Sequence, residues 1–513
     1  MNIELVKIID GNSPEIIDEY FAVQEAGNHL SFDFEADPQL AMVMYVLLMA
    51  PDGSVRLLKQ LGHGERRLCL GPDSLQTSLG GVAGTIDAGT WRLRLYVATA
   101  YLKGRDAEKV HTIRINIRDK WLDIQETVGE NDWANGIYGG APPARAWDGA
   151  APALRGSGGR WYKGDFHTHT HLSDGMETVR SAMEKAASMG MDFYVPTEHN
   201  ALHTGWPATD ILIIPGVEIT TQKGHMNLFG VDRMPEWLLT ILENMDSPRT
   251  WPLLLDTLNE AGKYGWTASI NHPFLTQWQW LHEAAPLGAF SCLEIINDPT
   301  YPPGPRANDR AIQFLDLLWQ DGHRIYGIGG SDSHNKEDQW YDGADGPSIA
   351  GDPGTWVYGT EPTQAAILRG LRMGHVYVSR FCTLDIWILG EHRAYLPGDE
   401  ILEAGFINYR MEIQGLEEKP LVYRVYNGKK LSLEVTEVRR CVYSINDMMD
   451  LGHEPWEWLR MEVRRANGAL LAYVNPVYHG SRTPRWSTFG EAVRAMELGS
   501  ASINYPDRTG FGK

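Results

Sequence analysis

The sequence predicts a mixed α/β chain in which a barrel of parallel strands lies between two β-rich flanks. Three observations predict it. Residues 15–120 are short apolar or alternating runs broken by turn residues, residues 161–380 alternate strand-like and helix-like segments, and the chain returns to β-like runs from 381 onward. At 513 residues it exceeds a single hydrophobic core, and roughly 150 residues per domain gives about three units. The expected division is an N-terminal β-sandwich-like domain with a Gly/Pro-rich linker at 1–155, the barrel at 156–380 and a C-terminal β-rich domain at 381–513.

In the first part, the apolar run 41–49 stops at Pro51-Asp-Gly53, and 90–97 follows Ala88-Gly89; strand-sized runs with turns between them suggest an antiparallel sandwich. Residues 135–145 and 155–159 are rich in Gly, Ala and Pro, too poor in side chains to form a packed element, and are expected to be a connection. In the second part a helix is expected over 178–189, with Val179, Met183, Ala186 and Ala187 on one side and Gly190 as its stop. Strands are expected at 192–196, 211–214, 266–270, 292–296 and 325–328, and helices near 253–261 and at 309–321. Such alternation implies parallel strands with helical crossovers. In the third part, 383–389, 421–426 before Asn427-Gly428, and 459–464 before Ala466-Asn-Gly468 are strand-like, and a polar tail covers 505–513.

Composition narrows the partners. A hydrophobic content of 43% and a charged content of 22% are those of a soluble globular protein. The net charge of −20 argues against general binding to nucleic acid or a membrane surface, both polyanionic. Cys69, Cys292, Cys382 and Cys441 stand singly, which suggests neither a disulfide framework nor a thiolate zinc site. With no basic leader and no apolar stretch near 18 residues, a cytoplasmic protein is expected, its partner a small-molecule substrate; a homo-oligomer is left open.

The chemistry is concentrated in acid and His clusters. Asp165-Phe-His167-Thr-His169-Thr-His171-Leu-Ser-Asp174 opens the series, and a strand puts residues i and i+2 on one face, so His167 and His169 can aim at one ion. Further clusters follow the other expected strands: Glu198-His199, Glu218, His272, and Asp332 with His334. The C-terminal ends of parallel barrel strands share one mouth, where ligands distant in sequence meet.

In order, His167-Thr-His169 with Ser173-Asp-Gly175, Thr197-Glu-His-Asn200, Pro215-Gly-Val-Glu-Ile-Thr220, Asn271-His-Pro273 and Gly330-Ser-Asp-Ser-His334 resemble the motifs of the polymerase and histidinol phosphatase (PHP) family of metal-dependent hydrolases. Gly224-His-Met-Asn-Leu-Phe-Gly230, Leu318-Trp-Gln-Asp-Gly322 and Gly374-His-Val-Tyr-Val-Ser379 are similar to its carbaryl-hydrolase branch (CehA/McbA). The resemblance implies a distorted (β/α)7 barrel holding two to three divalent metal ions, Mn, Fe or Zn. It implies a first metal at His167, His169, Glu218 and Asp332, with Glu218 bridging to a second held by His225 and His272. A third would take Asp174, His199 and His334. His171 has no role in that scheme.

The expected chemistry is hydrolysis. Two cations that share a carboxylate lower the pKa of bound water to about 7 and stabilise charge on the substrate oxygen, with Glu218 and Asp332 at the catalytic core. A third ion suits a phosphoryl group, so a phosphatase or phosphodiesterase acting on a small organic substrate is the leading expectation. Hydrolysis of a carbamate, ester or amide at the same centre is the runner-up, and a non-catalytic binding module the remote alternative. Arg306 in the expected loop 301–310, with Lys223, Asn200 and Arg380, are candidate substrate contacts, each weighed against a plain surface or structural role. His203 is a candidate proton donor to a leaving group, or a plain loop histidine. Trp278 and Trp280 suggest an aromatic wall over an organic leaving group, or core packing.

Overall fold

The computed structural model describes residues 1–105, 108–133, 159–245, 247–344 and 346–500. The expected connection at 135–145 and 155–158 and the polar tail at 505–513 lie outside the described residues. The first part forms two four-stranded antiparallel sheets, Asn2–Ile9, His111–Arg118, Leu30–Glu35 and Arg67–Leu70 in one, and Ile16–Val23, Gly89–Val97, Met44–Met49 and Val55–Gln60 in the other. Their alternating inward side chains, among them Phe32, Leu48, Trp91 and Ile115, form one apolar cluster. The run 41–49 is not one strand. Asp37 Oδ1 accepts from the amides of Gln39 and Leu40 and starts a helical turn, Pro38–Ala41, so the strand begins only at Met44.

In the central part, Arg160–Thr168, Phe193–Pro196 and Leu212–Ile213 pair in parallel. On its other side Arg160–Thr168 pairs antiparallel with Gly354–Gly359, and from there Val376–Ser379, Leu470–Gly480, Trp456–Arg464, Leu421–Tyr426 and Lys429–Leu433 complete a nine-stranded sheet. A second, five-stranded sheet holds Gly216–Thr221, Gly224–Phe229, Thr267–Ile270, Cys292–Asn297 and Tyr326–Gly330. Single parallel bridges, Thr168 with Ser333 and His199 with Glu218, connect the two sheets.

A continuous (β/α)7 ladder of parallel strands is therefore not what the described strands form. Only Thr267–Ile270, Cys292–Asn297 and Tyr326–Gly330 run parallel in the second sheet. Gly216–Thr221 and Gly224–Phe229 are joined through Gln222 and Lys223 alone, too short for a crossover, so they pair antiparallel, and the latter pairs antiparallel with Thr267–Ile270 as well. The result is a mixed α/β, sheet-rich architecture.

The helices fall close to their expected places. Val179–Ser188 is capped by Thr178 Oγ1, which accepts from the Ser181 amide, and Thr250–Tyr264 covers the expected 253–261. Gly304–Asp321 starts five residues before the expected 309, because Pro303 and Pro305 sit at its start, where a missing amide costs no helical bond. The four cysteines are free thiols, and no described helix is long and apolar enough to cross a membrane.

Gly322 ends the Gly304–Asp321 helix at φ +98°, and a Cβ there would lie 2.5 Å from the Arg482 carbonyl oxygen. Gly322→Ala is expected to cost about 1–3 kcal/mol, read as a lower midpoint in urea unfolding.

Candidate metal centre

Five pieces of chain deliver the site. The strand Arg160–Thr168 buries Phe166 on one face and turns His167 to the other, with His169 following on the same side just past the strand. The loop beyond carries Asp174. His199 follows Phe193–Pro196, and Glu218 lies inside Gly216–Thr221 rather than after a strand. His225 is on the partner strand of that hairpin; Thr220 pairs with His225 and Glu218 with Asn227, so His225 sits diagonally beside Glu218 on the same face. His272 follows Thr267–Ile270, and Asp332 and His334 follow Tyr326–Gly330. His272 and Asp332 have φ of +28° and +51°, a strained backbone that turns these side chains off their strands toward the centre.

The nine side chains form four overlapping groups whose ligand atoms lie within 4.8 Å of one another: His167, Glu218 and His272; His167, His169 and Asp332; His199, Glu218 and His225; and His169, Asp174, His199 and His334. Glu218 is fully buried at the overlap. Its Oε1 is 3.0 Å from His225 Nδ1, 3.2 Å from His167 Nε2 and 3.5 Å from His272 Nε2, and its Oε2 is 2.6 Å from His199 Nδ1. Asp332 Oδ1 is 3.1 Å from His169 Nε2 and 3.3 Å from His167 Nε2. Asp174 Oδ1 is 3.4 Å from both His199 Nε2 and His334 Nε2.

The donor set fits divalent cations. His167 Nε2 and Asp174 Oδ1 are buried without a hydrogen-bond partner, although both face the cluster. Orphaned buried polar atoms are costly, and imidazole nitrogens with carboxylate oxygens are what Mn, Fe and Zn coordinate. Opposite charges are balanced across the cluster: burial opposes charge on the ring of His167, but Asp332, Glu294 and Glu218 hold it well above the usual imidazole range. Burial works to raise the Glu218 carboxyl, yet the surrounding His167, His199 and His225 hold it well below the usual carboxylate range. Asp332 is held down in the same way by His167 and His169 against burial. Burial and the neighbouring His334 and His199 push His169 down to about 4, leaving a neutral imidazole able to ligate.

A ring of further carboxylates and amides holds these groups in place. Glu294 Oε1 is 2.7 Å from His167 Nδ1, which points Nε2 inward, while its Oε2 accepts from the His272 backbone amide at 2.9 Å and from Asn297 Nδ2 at 3.0 Å. Asn271 Nδ2 donates to Glu218 Oε1 at 2.8 Å. Glu198 accepts from the amides and hydroxyls of Thr170 and Ser173, tying down the loop between His169 and Asp174; burial opposes its charge, but His203 at 2.9 Å and these donors hold it at about 2. Asp165 accepts from the amides of His167, Ser331 and Gly351, and burial still pushes it up to about 6. Glu294 was not singled out from the sequence. Its one signal is an acid inside the otherwise apolar stretch 292–296.

A cavity of about 240 Å³ opens on the cluster, walled by Leu275, Trp278, Asp298, Tyr301 and Tyr341 opposite Asp174, His199, His225, His272, Asp332 and His334. Several expected substrate contacts are elsewhere. Arg306 is exposed on the first turn of the Gly304–Asp321 helix, not in a loop, and Lys223 is exposed at the hairpin turn. Asn200 is buried with its amide committed to the Thr220 backbone in both directions, so it fastens two strand ends instead of meeting a substrate. Arg380 is paired twice with Asp352. His203 is paired with Glu198, lies near Thr170 and Trp206, and is not among the residues lining the cavity. His171 pairs with Glu126 at 2.5 Å. Of the two tryptophans, Trp278 lines the cavity edge-on to Tyr301, whereas Trp280 is packed in the core.

No protein-family model matches the chain, and no curated protein matches it. Among solved structures, a two-domain protein from Bacteroides vulgatus containing a predicted PHP-like metal-dependent phosphoesterase aligns at 18% identity and a TM-score of 0.33, over 63% of this chain and 96% of that one. The Aeromonas hydrophila PliG, a periplasmic inhibitor of g-type lysozyme, aligns at 10% identity and a TM-score of 0.15, over 23% of this chain and 86% of its own. Both alignments are loose, and the chemistry rests on the side chains themselves.

Glu294→Gln keeps the shape of the side chain but removes the negative charge behind His167. Metal affinity is expected to fall roughly 10- to 100-fold in a competition titration with a chromogenic chelator, the circular dichroism spectrum staying that of the wild type.

Proposed function

We propose that the chain is a metal-dependent hydrolase of the PHP type, a phosphoesterase acting on a small organic substrate. The observation that carries this reading is the overlap of four ligand groups at Glu218, His167, His169 and His199, which suits two or three adjacent cations better than one. His167, His169, Glu218 and Asp332 would hold the first, Glu218 with His225 and His272 the second, and Asp174, His199 and His334 the third. Bound cations of this kind supply Lewis acidity toward a substrate oxygen and lower the pKa of coordinated water.

The remaining work falls to the protein. Glu294, Asn271 and Asn297 keep the ligands oriented before substrate arrives, so little reorganisation is left for the reaction. Leu275, Trp278, Tyr301 and Tyr341 exclude water and give an organic group an apolar surface. Asp298 faces the same cavity, accepts from Thr300 Oγ1 at 2.9 Å, and is pushed up to about 6 by burial and by Asp332. Lining the cavity, as His203 does not, it is the side chain we assign to hand a proton to a leaving oxygen.

The complete Asp174, His199 and His334 group favours a substrate with several oxygens, hence a phosphoryl group. One feature favours the second reading, hydrolysis of a carbamate, ester or amide: no Arg or Lys is among the residues lining the described cavity.

Turnover of p-nitrophenyl phosphate, bis(p-nitrophenyl) phosphate, an aryl carbamate and p-nitrophenyl acetate, each with added Mn, separates the readings. Phosphoester cleavage is expected; carbamate or ester cleavage alone would reverse the order. Chelation is expected to abolish turnover and added Mn to restore it. Asp332→Ala is expected to lose activity while keeping its fold, so turnover retained by that variant would sink the proposed centre. Asp298→Asn is expected to slow substrates with poor leaving groups far more than p-nitrophenyl esters, whose leaving group departs without a proton.

A further inference from the structure

We infer that the N-terminal β region is a working part of the metal centre: the Val55–Gln60 strand and the turn after it hold Asp174 in position and so set the affinity of the group formed by Asp174, His199 and His334. The inference rests on the metal-dependent reading proposed above.

His199 and His334 come three and four residues after the strand ends Pro196 and Gly330, whereas Asp174 lies six residues past the end of Arg160–Thr168, on a longer loop. Glu198 fixes the inner side of that loop. On its outer side the Met176 amide donates to the His334 carbonyl at 2.8 Å, and the stretch from His171 to Asp174 is held from the N-terminal region. The Gln60 amide donates to the Leu172 carbonyl at 3.1 Å, and Lys59 Nζ donates to the His171 carbonyl. Lys59 is only 2% exposed, and burial pushes it down to about 8, a costly placement for an ammonium that contributes no packing a leucine would not. Glu126 takes the His171 ring at 2.5 Å and the Val179 amide at 3.3 Å, closing the far end of the same segment.

The tightest contact is at Gly62, where φ is +47°. A Cβ built there would fall inside the Ser173 carbonyl oxygen and 3.0 Å from the Asp174 Cα, so only glycine allows the turn to lie against the ligand's own backbone. The turn is braced in return. Arg66 donates to the Leu61 carbonyl at 2.7 Å and to the Gly62 carbonyl at 2.8 Å, and the Gly62 amide donates to Ala41 at 3.0 Å. A stiff turn pressed on the Ser173–Asp174 backbone bears directly on Asp174, whereas His199 and His334 come from other segments. Metal affinity depends on such preorganisation.

The test is calorimetric titration of the metal-free full chain with Mn2+, the bound ions being counted by mass spectrometry. Gly62→Ala is expected to lose one ion, or to bind it at least about 10-fold more weakly, and to keep the others within about twofold of the wild type. The full wild-type complement at wild-type affinities overturns the inference. So does uniform weakening of every ion together with a lower thermal midpoint, the signature of packing alone. A wild-type chain that binds no Mn2+ removes the metal-dependent reading itself, a result distinct from wild-type binding that Gly62→Ala leaves unchanged. Should Gly62→Ala fail to fold, Lys59→Met serves: selective weakening of one ion is expected, and a folded variant with unchanged binding overturns the inference.

Discussion

A carboxylate with no exposed surface, surrounded by imidazoles, is the constraint on which the rest of this molecule turns. Burying the charge of Glu218 is costly by itself, and the cost is offset because His167, His199, His225 and His272 all approach its two oxygens. Those histidines come from four separate segments. Each segment must therefore end at the right height and lean the right way, and the two sheets meet at a bridge between Glu218 itself and His199. The hairpin serves the same requirement, since its tight turn brings His225 back beside Glu218 after only seven residues.

Beyond the ligands, a second tier of buried acids takes the strain. Glu294 restrains His167 and His272 together, Glu198 restrains the loop on which Asp174 travels, and Asp165 gathers three backbone amides from segments far apart in sequence. Each replaces water around a strand end with fixed hydrogen bonds. The ligands are then held without collapsing onto one another, which keeps several lone pairs pointed at shared points in space.

Much of the site was legible in the sequence because its signals are local. His167 and His169 follow the two-residue period of a strand, and Asp332 and His334 follow a short apolar run. The helix Val179–Ser188 was legible through its stop, Gly190. What escaped depends on partners distant in sequence. Glu294 looks like any polar interruption of a strand until His167 is placed across from it. Arg306 appeared to lie in a loop because Pro303-Gly304-Pro305 resembles a turn, whereas a helix accepts proline in its first positions. The antiparallel hairpin was hidden because periodicity reveals strands without revealing their direction. Gly62 could not be told from other turn glycines, because the Ser173 carbonyl it accommodates is more than a hundred residues away.

The nine-stranded sheet has a consequence for how the chain acquires its structure. Val376–Ser379 takes its outer partner from Leu470–Gly480, so the edge of the sheet that carries His167 stays open until nearly a hundred further residues have been made. Contacts that distant close slowly, and an unpaired edge is a template for other chains in the meantime. During synthesis the central sheet is therefore the part most exposed to misassociation, and it reaches its final form only when one of the last strands docks.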